Sequence, residues 1–130
     1  MFAEKLSAVL TRADAGSVAE LYTLDALFDV NVPVWRFQRK GIDEIAGQYA
    51  EWASEGPVEV VGLREWPAPW GALVEVEQRL IEDGAPAYSR NMHALFVEGG
   101  KVVRHIMYCS GVWNAALEAR QKIEAPMYES

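Results

Sequence analysis

The sequence predicts a single α+β domain, because helical periodicity dominates its beginning and strand periodicity dominates its second half. Two short helical patterns open the chain, and a stronger one covers residues 42–53. From residue 58 the apolar period changes to two, which indicates strands separated by turns. Helices that precede the main sheet, rather than alternate with its strands, are typical of α+β folds. A chain of 130 residues with 51% hydrophobic side chains can form one continuous core.

The helices are predicted from apolar spacing and from residues that suit helix ends. A first helix covers residues 2–10, where apolar side chains repeat every three to four positions. Asp14 or Ser17 can cap a second short helix that runs to about Tyr22, because their side-chain oxygens accept from free amides. The third helix, at 42–53, carries acidic residues in its first turn, where the helix dipole favours them.

Six strands are predicted from alternation and from the turn residues between them. Two lie between the second and third helices, at 24–32 and 34–38, and Pro33 separates them because it lacks an amide donor. Four more follow, at residues 58–66, 72–81, 87–97 and 101–110. A final helix or ordered tail occupies residues 114–130.

Composition and charge argue against several classes of function. The net charge of −7 opposes attraction to phosphate backbones and to anionic membrane surfaces, so we expect no nucleic-acid or membrane partner. The charged start and the lack of a long apolar stretch predict a cytoplasmic protein. The one cysteine, Cys109, cannot form an internal disulfide or a multi-thiolate metal site, and we expect neither a metal nor a cofactor.

Three segments resemble a known superfamily. They are residues 29–33 followed by Trp35, the helix start at 41–45, and the hairpin at 98–103. Together they resemble nuclear transport factor 2-like proteins, and more narrowly the SnoaL-like branch named for polyketide cyclases. The resemblance implies a cone-shaped, curved antiparallel sheet wrapped by N-terminal helices around a pocket, a cystatin-like α+β barrel with its core at about 8–113. Because the superfamily contains both enzymes and binding-only proteins, it implies a pocket without implying a reaction.

The last hairpin sets the predicted register of the sheet. A two-residue loop at 99–100 pairs Glu98 with Lys101, and an uninterrupted ladder then places Asn91 opposite Tyr108. The resulting face is largely apolar with a few polar groups, which is the composition of a ligand cavity. Its candidate ligand-contacting residues are Asn91, His93, Tyr108, Ile106 and Gln78.

The opposite face of the predicted sheet carries most of the charge. Glu75, Glu77 and Arg79 fall on it, and so does His105, so the two histidines of the chain would point apart and could not share a metal. Sheet-to-sheet dimers are common in the resembled superfamily. We therefore expect a homodimer through this outer face.

The predicted chemistry centres on His93, since imidazole titrates near neutral pH and can transfer protons. Tyr108 and Asn91 would donate hydrogen bonds to an enolate-like oxygen beside it. The alternative is a core histidine whose hydrogen bond to Tyr108 is purely structural. Asp29 and Asn31 share one side of their strand and are candidates for the cavity mouth, where Asp29 would orient His93 or act as the base.

Aromatic residues are frequent, and Trp35 and Tyr49 are the candidates for pocket lining, because aromatic walls suit planar apolar ligands. The sequence thus predicts a protein that binds a small hydrophobic molecule. It is either a cofactor-independent lyase, isomerase or cyclase acting on a carbonyl compound by acid/base catalysis, or a non-catalytic binding or dimeric assembly module. Whether the protein is an enzyme stays open at this point.

Overall fold

The computed structural model describes residues 1–129; Ser130, the last residue of the predicted tail, lies outside the described residues. The helices are α1 (Phe2–Arg12), α2 (Ala15–Leu21), α3 (Gly41–Trp52) and α4 (Ala115–Glu124). The strands are β1 (Tyr22–Val32), β2 (Trp35–Lys40), β3 (Glu59–Ala68), β4 (Gly71–Glu82), β5 (Ala85–Glu98), β6 (Lys101–Cys109) and β7 (Trp113–Asn114). Across residues 1–129, no helix is both long and apolar enough to cross a membrane.

All seven strands belong to one curved, unclosed sheet, which confirms the α+β prediction. The strand order is β2-β1-β6-β5-β4-β3, and the short β7 pairs with β5. The prediction of a purely antiparallel sheet is wrong at one position, because β1 and β6 run parallel. Parallel neighbours require a long connection, and here the chain from β2 to β5 supplies it.

Helices α1 to α3 cover one face of the sheet, which we call the inner face, and the core lies between them. Leu6 and Val9 of α1 and Ile45 of α3 are fully buried there. Asp14 is the N-cap of α2 and accepts a hydrogen bond from the amide of Ser17, as its position in the sequence predicts. By contrast, α4 has no buried residue.

A β-bulge in β6 decides which side chains reach the inner face. Glu98 pairs with Lys101 and Val97 with Val102, as the two-residue loop predicts, but Phe96 pairs with Arg104. Val103 is therefore an extra residue, and every later position of β6 is shifted by one. Because side chains alternate between faces, this shift moves each later side chain to the face opposite to the predicted one.

Gly71 allows β4 to start close to β5. Its φ is +149°, and a Cβ built there would lie 1.9 Å from the carbonyl oxygen of Leu95, a backbone atom of β5. We expect Gly71→Ala to lower the free energy of unfolding by more than about 2 kcal/mol, because both the clash and the φ are unfavourable. Urea denaturation measures this change.

Gly47→Ala is the matched control, since nothing lies within 4 Å of the added methyl group and Gly47 is within α3. It should stabilise the protein by up to about 1 kcal/mol, from helix propensity alone. Equal effects of the two substitutions would contradict the close approach of β4 and β5.

Candidate functional site

Strand β5 supplies three buried polar side chains of the inner face. Ser89, Asn91, His93 and Leu95 alternate inward along it, and all four are buried. On the neighbouring β4, Val76 lies opposite Asn91 and Val74 lies opposite His93. Asn91 and His93 are thus neighbouring polar groups on the inner wall, with apolar Val74 and Val76 beside them.

Four fully or almost fully buried side chains form a continuous hydrogen-bonded series, which we call the tyrosine–histidine network. Nδ1 of His93 lies 2.7 Å from Nε2 of His105. Nδ1 of His105 lies 2.6 Å from the hydroxyl of Tyr22, and that hydroxyl lies 2.8 Å from the hydroxyl of Tyr49. The network therefore joins β5, β6, β1 and α3.

An apolar ring covers the network on one side. The ring of Phe28 stacks on His105 with centroids 4.3 Å apart and on Tyr49 with centroids 5.5 Å apart. Because Phe28 is itself fully buried, water has no access along this side. The hydrogen bonds of the network lie in a medium of low dielectric constant, where each is stronger than in water.

Burial keeps all four network groups uncharged. Desolvation lowers the pKa of His93 to about 3. The pKa of His105 also falls well below its usual value, first through desolvation and then through its proximity to His93. Desolvation raises the pKa of Tyr22 and of Tyr49 far above that of a free phenol. Neutral imidazoles and neutral phenols are the resting forms near pH 7.

Several buried polar side-chain atoms of the protein have no hydrogen-bond partner within residues 1–129. They are Nε2 of His93, both amide atoms of Asn91, Oε1 of Gln78 and Oε1 of Gln48. Gln78 uses only its Nε2, which donates to Ser89 over 3.0 Å. A buried polar group without a partner costs roughly 1–3 kcal/mol, so neighbouring groups of this kind indicate a site for another molecule.

The predicted trio of Asn91, His93 and Tyr108 does not form, because the bulge turns Tyr108 to the outer face. Tyr108 pairs with Met92 and is 63% exposed. Ile106 also lies on the outer face, opposite Ala94. The predicted inner-face positions of Tyr108 and Ile106 are therefore wrong.

The bulge has the opposite effect on His105, which lies on the inner face although the sequence predicts the outer face. The two histidines thus meet instead of pointing apart, which corrects the predicted separation. In the part of the chain that the structure describes, no third histidine, cysteine or acidic residue joins them as a metal-ligand set. Their contact is a hydrogen bond between two imidazoles.

Asp29 lies on the outer face, so its predicted position at the cavity mouth is wrong. Both of its oxygens accept hydrogen bonds from Arg36, at 2.8 and 2.6 Å, and Arg104 lies 3.7 Å away. The hydrogen bonds from Arg36 lower the pKa of Asp29, although burial opposes this. Asp29 is thus an ionised partner in an ion pair, remote from His93. Asn31, on the same side of β1, donates to the carbonyl of Met107 over 3.2 Å.

Of the two aromatic residues predicted to line the pocket, only Tyr49 is buried on the inner side. Trp35 is 70% exposed at the hairpin that joins β1 to β2, whereas Tyr49 is buried at the end of the tyrosine–histidine network. Sequence reasoning missed Tyr22 and His105. The alternation of β1 favours an inward Phe28, but no spacing signal reveals the extra residue at Val103.

The outer face carries two grooves. The smaller, of about 280 Å³, is lined by Met92 and Tyr108, and the larger, of about 790 Å³, lies between the sheet and α4. The larger contains the ion pair of Arg79 with Glu118, at 3.0 Å. His93 lines neither groove, whereas Asn91, two residues before it on β5, is among the residues that line the smaller one.

The neutral histidines make folding stability depend on pH. Their pKa values in the folded protein lie below the unfolded value of about 6.5, so below that pH the unfolded chain binds protons that the folded chain does not. We expect the free energy of unfolding to fall between pH 6.5 and 5, by up to roughly 1.4 kcal/mol per pH unit for each histidine. Urea denaturation at a series of pH values measures this slope.

His93→Gln is the control, because it removes one of the two titrating groups and should therefore reduce the slope by about half. A profile that is flat between pH 6.5 and 5 in the unsubstituted protein would contradict the neutral, buried state of both rings.

No protein-family profile matches the chain, and no curated protein matches it in sequence. Among solved structures, a nuclear transport factor 2-like protein from Anabaena variabilis is 15% identical, with a TM-score of 0.70 over 83% of each chain. A hypothetical protein with a ketosteroid isomerase-like fold from Catenulispora acidiphila, solved with trimethylamine, is 14% identical, with a TM-score of 0.68 over 100% of this chain and 98% of that one. A candidate polyketide cyclase from Sinorhizobium meliloti is 14% identical, with a TM-score of 0.61 over 82% of this chain and 92% of that one. The chain therefore has the fold of the nuclear transport factor 2-like superfamily.

Proposed function

We propose that this protein binds a small, largely apolar molecule at its inner face, where Asn91 and His93 contact the molecule's polar group. The observation that carries the proposal is the set of unpartnered atoms on these two adjacent, buried side chains. Evolution retains unpaired polar groups in a core mainly where they serve function, because an apolar residue of similar shape would stabilise the fold.

The surroundings of the two polar groups favour a hydrophobic molecule. Val74, Val76 and Leu95 are fully buried on the same wall, and Met107 lies opposite His93. Pockets that combine apolar walls with a few convergent polar groups are typical of small-molecule sites. Two structural neighbours, the protein with a ketosteroid isomerase-like fold and the candidate polyketide cyclase, are named for enzymes that act on small molecules. Their similarity in fold supports a site of this kind.

A second candidate function is turnover of a carbonyl compound by a cofactor-independent isomerase, cyclase or lyase of the SnoaL-like type. The tyrosine–histidine network favours it, since a series of short hydrogen bonds ending on His93 can shift protons along its length. His93 would then act as a neutral hydrogen-bond donor to the carbonyl, because its low pKa makes it a weak base.

The non-catalytic alternative is binding without turnover. Among the described residues, Asp29 is the one buried carboxylate, and it lies on the outer face in its ion pair with Arg36. The inner face thus offers a hydrogen-bond donor without a carboxylate base beside it. This arrangement supports ligand binding more strongly than proton abstraction.

We further propose that the protein is a homodimer through the outer face of the sheet. Several apolar side chains are exposed on that face or at its end, namely Trp66, Trp70, Leu73, Met92 and Tyr108. Exposed apolar groups that share one sheet face are typical of a protein–protein contact. A second copy would cover them by presenting the same face, as a two-fold interface requires.

Asn91→Leu tests the binding function. Without ligand, we expect a gain of about 1 kcal/mol in the free energy of unfolding, because the substitution replaces two unpartnered buried polar atoms with methyl groups in the same branched arrangement. A thermal-shift screen of planar aromatic and steroid-like ketones should give compounds that stabilise the unsubstituted protein, and Asn91→Leu should lose that stabilisation.

Tyr108→Phe is the matched control, since Tyr108 lies on the outer face and should change neither result. Destabilisation by Asn91→Leu, with ligand shifts unchanged, would show that the amide serves the fold and would contradict the proposed site.

Met92→Lys tests the homodimer, because a charge in the centre of the outer face would be buried at the contact at a cost of several kcal/mol. Sedimentation velocity should show a dimer for the unsubstituted protein and a monomer for the variant. Leu24→Lys is the control, as Leu24 is exposed in the irregular part of β1. A monomer for the unsubstituted protein at micromolar concentration would exclude the dimer.

A further inference from the structure

We propose that the tyrosine–histidine network fixes a proton on Nε2 of His93, so that the inner site accepts a neutral hydrogen-bond acceptor. Suitable groups are the oxygen of a ketone, aldehyde, ester or amide. This inference rests on the proposed binding function, and it adds the chemical class of the group that His93 contacts. It also assigns Tyr22 as the positioning residue that sets this preference.

Two orientations of the hydrogen bonds are compatible with the distances in the network. In the first, Tyr49 donates to Tyr22, and Tyr22 donates to Nδ1 of His105. Nε2–H of His105 then donates to Nδ1 of His93, which leaves the proton of the neutral His93 ring on Nε2. Every hydrogen of the network is used except the one that points out of it.

The second orientation reverses each bond. Nδ1–H of His93 donates to His105, and Nδ1–H of His105 donates to the oxygen of Tyr22. Tyr22 then donates to Tyr49, whose own hydrogen has no acceptor, because within residues 1–129 its hydroxyl has no hydrogen-bond partner except Tyr22. This orientation leaves two groups unpartnered, the hydroxyl hydrogen of Tyr49 and the bare Nε2 of His93.

The count of unpartnered groups therefore favours the first orientation. It leaves one unpartnered group in the free protein, and a bound acceptor on Nε2–H of His93 leaves none. A ligand that donates a hydrogen would require the second orientation and would still leave the buried hydroxyl hydrogen of Tyr49 unpaired. The network thus discriminates between acceptors and donors although only one of its atoms reaches the ligand.

The same surroundings disfavour ionised ligands. The buried polar residues around His93 on this face are neutral, and Asp29 with Arg36 lies on the other face of the sheet. A carboxylate or ammonium group placed here would lose its hydration without gaining a partner of opposite charge, which costs several kcal/mol in proteins. The amide of Asn91 adds one donor and one acceptor, which suit a neutral polar group.

Tyr22 carries the preference, and Tyr49 does not. Removal of the Tyr22 hydroxyl leaves Nδ1 of His105 without a partner in either orientation, so the two orientations become equivalent. Removal of the Tyr49 hydroxyl leaves Tyr22 free to donate to His105, and in the reversed orientation the hydrogen of Tyr22 becomes the unpaired one. Tyr22→Phe and Tyr49→Phe are therefore a matched pair.

Nitrogen NMR of the ¹⁵N-histidine-labelled protein near pH 7 tests the proton assignment directly, since the chain has two histidines. We expect both rings as the Nε2–H tautomer, and the same result for Tyr49→Phe. Tyr22→Phe should give a mixture of tautomers while remaining folded by circular dichroism. Both rings as the Nδ1–H tautomer, or a mixture that is unchanged by Tyr22→Phe, would overturn the inference.

A second measurement tests the ligand class with three compounds that share one ring: acetophenone, benzoate and benzylammonium. We expect acetophenone to bind at least about tenfold more tightly than either ion by ligand-observed NMR titration. Tighter binding of benzylammonium or benzoate would overturn the inference. If none binds while both rings are Nε2–H tautomers, the proton assignment is supported and the proposed binding function is contradicted.

Discussion

The hydrogen bond between His93 and His105 is the contact that organises the inner face, and it depends on one extra residue in β6. Without the bulge at Val103, His105 would point to the outer face, and Tyr108 would point to the inner face opposite Asn91. With the bulge, two imidazoles meet under Phe28 and continue into two phenols. A local irregularity of the sheet therefore determines which chemistry the fold presents.

The two faces of the sheet treat polar groups in opposite ways. On the outer face, Asp29 is ionised and fully paired by Arg36, and its charge is stabilised at the site. On the inner face, burial keeps His93 and His105 neutral, and their hydrogen bonds are directed rather than ionic. The inner face thus presents neutral groups with directed hydrogen bonds, while the outer face presents charges and exposed apolar side chains.

Much of the fold follows from local patterns in the sequence, while the site follows only in part. The helices, the alternation of side chains along β4 and β5, and the pairing of Glu98 with Lys101 depend on spacing and turns, which a single sequence shows. Alternation along β1 also indicates that Phe28 points inward and that Asp29 points outward. The bulge and the parallel pairing of β1 with β6 cannot be predicted in this way, because neither leaves a periodic signal in the sequence.

The parallel pairing of β1 with β6 also bears on how the molecule is assembled. Tyr22 and His105 are separated by 83 residues, and their contact closes most of the chain into one loop. Closure of long loops is slow and comes late, after local hairpins such as β5 with β6 have formed. β1 can pair with β6 only after residues 101–109 have been synthesised, so we expect the inner face to form after the local hairpins.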